Sequence, residues 1–287
     1  DSEKTGKTLQ ILYMSYNNLE EFPEYSALKK MVNLGLLDLA YNNIKKVHPF
    51  GSEVALSSLY LNNNQIEEIP ANLCAFTDDV ESLTFAHNKL KKIPNIFDAS
   101  SVREMGSVDF SYNEITGVDN SHPYKGINAA SVSLSNNKIE KFPSELFTAG
   151  SPITTIDLSG NQMRTIPKGS IKGKKAYLLQ VIDLRFNKLT SLSDDFRSTT
   201  LPYITNMDLS YNCFTEVPTQ PLNSAVLRAF AINHQRDENN DQRCLRTWPT
   251  GITTCPSLIQ FQIGSNDIRK VEELSLIHIS EPTRLQL

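Results

Sequence analysis

The sequence predicts an α/β solenoid: a parallel β-sheet of about eleven stacked units, each returning through a short helical turn or loop. Three observations carry that expectation. The pattern L-x-x-L-x-L-x-x-N-x-L recurs along the chain, and its Asn positions fall 22–26 residues apart from Asn17 to Asn212. The chain is also lean, with 39% apolar residues over 287 positions, where about 45–50% is usual for a globular domain. A narrow core shared along a stack accounts for the deficit, because one repeat alone cannot bury its own apolar face.

The first copy reads Leu9–Leu12–Met14–Asn17–Leu19 and the second Leu34–Leu37–Leu39–Asn42–Ile44. A tenth reads Leu227–Phe230–Ile232–Gln235 and an eleventh Leu258–Phe261–Ile263–Asn266–Ile268. Alternation at L-x-L makes a short strand with two apolar residues on one side and the middle residue on the other. The next Asn turns the chain inward, where its amide can pair with backbone groups that have lost their ladder partners. Stacked copies therefore predict a structural column of Asn17, Asn42, Asn64, Asn88, Asn113, Asn137, Asn161, Asn187, Asn212 and Asn266, with Gln235 in one place. Pro often follows the next apolar residue, as at Phe22-Pro23, Ile69-Pro70 and Ile166-Pro167, and starts the return path. The residues left over in each unit are too few for a helix of ordinary length.

The array is expected over residues 9–273, with 1–8 too short to cap its first strand and 274–287 read as a non-native or disordered tail. On this reading the chain is a fragment of a longer protein. The step from Gln235 to Asn266 is 31 residues, and the excess is a polar insertion at 236–243. Asp237-x-Asn239-x-Asp241 resembles the start of a calcium loop but lacks its Gly and terminal Glu, so a solvated loop is expected and no metal. Cys244 and Cys255 follow it. Export would allow them to close a disulfide across the insertion, and a solvated loop with free thiols is the other reading. Cys74 reads as a buried small hydrophobe and Cys213 as more exposed, beside the Asn column.

Residues between the two strand apolar positions, and the two before each Asn, should point away from the core and line the concave face. The middle column includes Tyr13, Asp38, Tyr60, Asp109, Asp157, Asp183 and Asp208; the column just before Asn includes Tyr16, Tyr41, His87, Tyr112, Phe186, Tyr211 and His234. One column turns acidic toward the later repeats, and its neighbour is aromatic at both ends. Exposed aromatics beside fixed polar groups suit protein recognition. The competing reading is that Asp-Leu-Ser-Tyr-Asn is repeat vocabulary with no binding role. Beyond these columns, Glu20-Glu21, Lys45-Lys46, Glu67-Glu68 and Lys91-Lys92 alternate in sign between adjacent repeats, about 5 Å apart, and are read as setting register.

Several function classes are disfavoured. A net charge of −4 argues against a general nucleic-acid or anionic-membrane binder, and no apolar run is long enough to span a membrane. No nucleotide loop, nucleophile elbow or zinc-protease motif occurs, and His87 and His234 share a column but lie six repeats apart. The Asp157–Asp183–Asp208 row superficially resembles a glycosidase pair, yet an open, solvated row excludes no water. No catalytic residue and no cofactor are expected.

These repeats resemble the leucine-rich repeat, and the wording Leu-Asp-Leu-Ser-Tyr-Asn-x-Ile with short convex loops is similar to surface leucine-rich repeat proteins of gut Bacteroidales. The resemblance implies a horseshoe with the parallel sheet on its concave side. It also implies a non-enzymatic module on a bacterial cell surface that binds a protein ligand, with a glycan as the other candidate. The alternatives are a cytoplasmic signalling scaffold and a structural spacer within a larger surface protein.

Overall fold

In each repeat three residues suffice for a strand, because the residue between two flanking solvent-facing positions is the one buried. Leu37, Leu59 and Leu83 are 0%, 1% and 2% exposed at the centres of their strands. The computed structural model describes residues 6–49, 54, 56–70, 73, 80–96, 105–119, 126–148, 150–171, 176–237, 239, 242–249, 252 and 255–271, and the backbone of 284–286. The fold divides into two units: Asp1–Lys138 with Glu145–Ile153, and Ile139–Ser144 with Thr154–Leu287.

The first unit holds β1 (Ile11–Tyr13), β2 (Leu36–Asp38), β3 (Ser58–Tyr60), β4 (Ser82–Thr84), β5 (Met105–Asp109) and β6 (Ala129–Ser133). Neighbours pair in parallel in chain order, so Leu12, Leu37, Leu59, Leu83, Val108 and Val132 fall in one row, buried from Leu37 onward and half-buried at Leu12. The second unit holds β7 (Thr155–Asp157), β8 (Val181–Asp183), β9 (Asn206–Asp208), β10 (Ala229–Ala231) and β11 (Gln260–Gln262). Its row is Ile156, Ile182, Met207, Phe230 and Phe261. A further strand, β12 (Arg284–Gln286), pairs in parallel with β11.

Return paths are short. Among the described residues they contain one four-residue helix, α1 (Tyr25–Leu28), and 3-10 turns at Ser144–Leu146 and Pro221–Asn223. Stacked aromatic rings fill the core where the repeat uses Phe: Phe85 on Phe110 at 5.7 Å in the first unit, Phe230 on Phe261 at 5.8 Å in the second. Burying each such apolar side chain contributes about 1.5–3 kcal/mol.

The Asn column ties one repeat to the next. Asn113 is 7% exposed; its Nδ2 donates to Phe110 O and Ser111 O in its own turn and to Phe85 O in the preceding repeat, while its Oδ1 accepts from Leu90 N–H. Asn42, Asn64, Asn88 and Asn137 repeat this pattern in the first unit, and Asn187 and Asn212 in the second. Asn161 accepts from Ile139 N–H and Asn266 from Gln235 N–H. Gln235, fully buried, reaches Leu209 O with Nε2 and accepts from Phe214 N–H. Asn17 is exposed and, among the described residues, bonds within its own turn, to Met14 O and Ser15 O. Beside this column, Lys46 and Glu68 of the charged pairs form a parallel backbone bridge.

Candidate partner-binding surface

Five aspartates at the ends of strands bond back to their own turns. Oδ1 of Asp38, Asp109, Asp157, Asp183 and Asp208 accepts from the N–H two residues on, at 2.9, 2.8, 2.9, 2.9 and 2.9 Å. Each is an Asx-type turn, in which a short carboxylate stands in for a backbone acceptor. The acidic column therefore has a structural role beside any recognition role. Its donors are mostly small and buried: Ala40 is 5% exposed, Ser111 7%, Ser159 9% and Ser210 3%. That corrects the expectation that both positions before Asn face solvent. The earlier of the two packs between neighbouring turns, and Arg185 alone of these five donors carries a long side chain there.

The position just before Asn behaves differently. Tyr16, Tyr41, His87, Tyr112, Phe186, Tyr211 and His234 all have φ between 52° and 59°, the left-handed region that bulky residues seldom adopt. Two bonds hold it in every case: the amide of the next residue, Asn or Gln235, grips carbonyls behind it, and its own N–H donates to the next repeat, as from Tyr41 to Asn62 O at 3.0 Å. Before Tyr41, Tyr112, Phe186 and Tyr211 an Asx turn adds a third. Held this way, the side chains stack. Tyr16 lies on Tyr41 with centroids 4.3 Å apart, His87 on Tyr112 at 4.2 Å, Phe186 on Tyr211 at 4.2 Å and Tyr211 on His234 at 4.4 Å. The rings remain open to solvent: Tyr16 is 75% exposed, Tyr112 50% and Phe186 51%. Tyr13 (67% exposed) and Tyr60 lie in the strand column of the first unit, one repeat apart on either side of Asp38.

In the second unit the acidic row encloses a cation. Arg185 Nε donates to Asp183 Oδ1 and Oδ2 at 3.0 and 2.9 Å, its Nη2 lies 2.6 Å from Oδ2, and Nε is 3.6 Å from Asp208 Oδ2. Asp183 holds the guanidinium above its ordinary value; burial, with Asp183 adding to it, pushes the Asp208 carboxyl up against the pull of Ser210 and Arg185. Asp183 and Asp208 border a depression of about 290 Å³ floored by β8–β11, with Asn206, Gln260 and Gln262 on its walls. Phe186, Tyr211 and His234 border a larger recess of about 650 Å³ with Lys188, Arg236 and Asp237. In the first unit, Tyr41, His87 and Asp109 line one of about 520 Å³.

The Leucine Rich Repeat family model matches residues 55–76. A leucine-rich repeat protein of known structure from Bacteroides thetaiotaomicron is 61% identical, with a TM-score of 0.85 over 95% of this chain. The chain is an array of leucine-rich repeats. A second leucine-rich repeat structure, from Bacteroides eggerthii, is 58% identical with a TM-score of 0.86 over 93% of the array. Rat lumican is 33% identical over 142 residues, 48% of the array. The array spans 34% and 45% of the two Bacteroides proteins and 40% of lumican.

Elsewhere in the leucine-rich repeat array, the polar insertion leaves and returns as a hairpin, with Arg236 and Arg243 bridged antiparallel and Asp237 N–H bonded to Gln242 O at 2.9 Å. Asp241 of the calcium-like triplet lies outside the described residues, as does Cys74. The bridge between Cys244 and Cys255 is not formed. The Cys255 thiol is buried and donates to Ser224 O in the preceding repeat at 3.3 Å, whereas that of Cys244 points to Gln242 O at 3.5 Å. Burial pushes both thiols up. Cys213 is buried too, at 9% exposure, against the expectation of a more exposed residue: it takes the place that exposed Lys89 and Lys138 hold in other repeats, and its short side chain does not reach out to solvent as theirs do. Among the described residues no three His, Cys, Asp or Glu side chains are placed to hold a metal, and no helix is long and apolar enough to cross a membrane.

Proposed function

We propose that the array is a non-enzymatic recognition module that binds a protein partner through the concave, solvent-facing side of its sheet, as part of a bacterial cell-surface protein. The observation that carries this reading is the stack Phe186–Tyr211–His234. Three large rings are held in register on a backbone conformation that costs stability, with Phe186 and Tyr211 exposed and His234 half-buried. Pre-organised aromatic groups are the anchors that protein interfaces use, because ordering them on binding costs little further entropy. The neighbouring depression supplies satisfied polar groups for a rim. Catalysis has little support in the same geometry, since the acidic row is shallow and Arg185 already neutralises part of it.

Likeness of fold points the same way. Toll of Drosophila, 17% identical with a TM-score of 0.71, is solved in complex with Spatzle. The cell-surface part of the proposal rests on the similarity to the Bacteroides proteins and is tested by protease shaving of intact cells. The binding part is tested by selecting a protein ligand from a display library on the immobilised array. Tyr211→Ala and Phe186→Ala should each weaken that ligand about 10-fold or more. Tyr203→Ala, which alters an exposed ring pair with Tyr177 away from the column, should leave it unchanged. A structural spacer would give no ligand sensitive to Tyr41, Tyr112, Tyr211 or Asp208.

A further inference from the structure

The aromatic column of the second unit has a missing member. One repeat before Phe186, the same turn position is held by Gly160 at φ 66°. Gly160 makes the bond that every member of the column makes, its N–H donating to Arg185 O at 2.9 Å. The backbone thus prepares a place for a planar side chain about one ring thickness from Phe186, and the sequence supplies none. Among the described residues Phe186 meets a single ring, that of Tyr211, and half of its surface is open.

Charge beside the vacancy has one sign to spare. Asp183 and Asp208 form ion pairs with Arg185 and Asp157 also feels its charge, so one guanidinium stands against three carboxylates. Asp157 lies three residues before Gly160 in the same turn, and its one hydrogen bond among the described residues comes from Ser159 N–H to Oδ1. A planar aromatic face thus stands one repeat from a carboxylate with acceptor capacity to spare.

We infer that the open face of Phe186, with Asp157 beside it, seats the guanidinium of an arginine side chain on the protein partner. The inference rests on the reading of this face as a partner-binding surface. A guanidinium is flat, permanently charged and weakly hydrated, so it stacks on an aromatic face while its N–H fork reaches a carboxylate. Lysine lacks the flat shape, and a neutral ring gains nothing from Asp157. The recess that Phe186, Tyr211 and His234 share is bordered by Lys188 and Arg236, so the cation is placed on the Gly160 side of Phe186, toward the acidic row.

The test uses the isotope-labelled array and three blocked tripeptides, acetyl-Gly-X-Gly-amide with X as arginine, citrulline or phenylalanine, followed by NMR. The arginine peptide should produce saturable shifts at the Gly160 amide and the Phe186 ring, with its side-chain CH2 protons moved upfield by the ring current. Citrulline, flat but uncharged, should bind at least about 5-fold more weakly. Phe186→Ala should abolish the shifts. So should Gly160→Tyr, which folds because tyrosine already occupies the equivalent place at Tyr16, Tyr41, Tyr112 and Tyr211 with φ of 52–59°. Asp157→Asn keeps the turn bond to Ser159 and should weaken the arginine peptide about 3-fold or more.

Equal binding of citrulline or phenylalanine, shifts that survive Gly160→Tyr, or no saturable shift at all would overturn the inference. A selected protein ligand that tolerates Gly160→Tyr yet is lost with Tyr211→Ala overturns the arginine seat and leaves the binding face standing. A ligand indifferent to both Phe186→Ala and Tyr211→Ala overturns the binding face itself.

Discussion

Arg185 grips Asp183 with two nitrogens, Nε at 2.9 Å and Nη2 at 2.6 Å from the same carboxylate oxygen. The pair belongs to one turn, two residues apart, and the guanidinium then leans toward Asp208 in the next repeat at 3.6 Å. A cation is thereby built into a row that would otherwise be three adjacent carboxylates. Arg185→Ser restores the residue found at the same place in Ser111, Ser135, Ser159 and Ser210, so the turn should form unchanged. Stability should change by no more than about 1 kcal/mol, because the pair is only part-buried and water can take over its hydrogen bonds. The titration of Asp208 should move upward when followed by carboxyl-carbon NMR, because Arg185 pulls it down in the parent. An unmoved Asp208 would show that Arg185 is not its counter-charge.

Asp208 should make stability depend on pH in the direction opposite to a salt-bridged acid. Burial, aided by Asp183, raises its carboxyl above the ordinary value of 3.8. The folded chain therefore holds this proton more readily than the unfolded chain does. The penalty for the buried carboxylate is absent below the unfolded value, grows as pH rises through the folded value, and persists above it. Asp208→Asn removes the penalty while its amide oxygen still accepts from Ser210 N–H. The variant should melt at a higher temperature than the parent at pH 7, and the two should converge below about pH 4. A gap that widens on acidification would contradict this assignment.

Asp109 separates the structural role of the acidic column from its recognition role. Its Oδ1 bond to Ser111 N–H, at 2.8 Å, is available to an amide oxygen but not to a methyl group. Asp109→Ala should cost about 1 kcal/mol in urea unfolding, and Asp109→Asn less than about 0.5 kcal/mol. If Asp109→Asn is stable yet loses a selected ligand, charge in this column serves recognition. If neither variant affects the ligand, the column at this repeat is turn chemistry alone.

Periodicity made the core legible from residues such as Leu37 and Leu39, because a strand residue and its next-but-one neighbour share a face whatever surrounds them. The aromatic stacks were half legible. The column of Tyr41, His87 and Phe186 was visible, but the sign of φ is a property of the backbone, and sequence order does not print it. A signal was present in the same column, where Asn63, Asn136 and Gly160 are residue types that tolerate the left-handed region. The Asx bond was available too, in the two-residue spacing from Asp109 to Ser111. Arg185 was hidden because the position before Phe186 was read as solvent-facing in every repeat, so its one long side chain looked unexceptional. Cys244 and Cys255 are eleven positions apart in sequence; that spacing permits a bridge and carries no information on which way each thiol turns.

The amide column gives the sharpest test of where the fold's stability lies. Asn113 satisfies three carbonyls and one N–H, all in a setting closed to water. Asn113→Ala leaves Leu90 N–H without its partner, at about 1–3 kcal/mol for the orphaned group, and removes the amide's bonds to Phe110 O, Ser111 O and Phe85 O, of which Phe85 O keeps its bond from Asn88 Nδ2. The variant should lose about 2–5 kcal/mol in urea unfolding, and the Leu90 amide should exchange with solvent much faster than in the parent. Asn17→Ala removes two bonds from an exposed turn where water can replace them, and should cost less than about 1 kcal/mol. Nearest-neighbour coupling in a stack predicts that the faster exchange spreads first to the repeats on either side of Asn113. Equal costs at the two positions would mean that the column's energy comes from the local turn and not from the bonds between repeats.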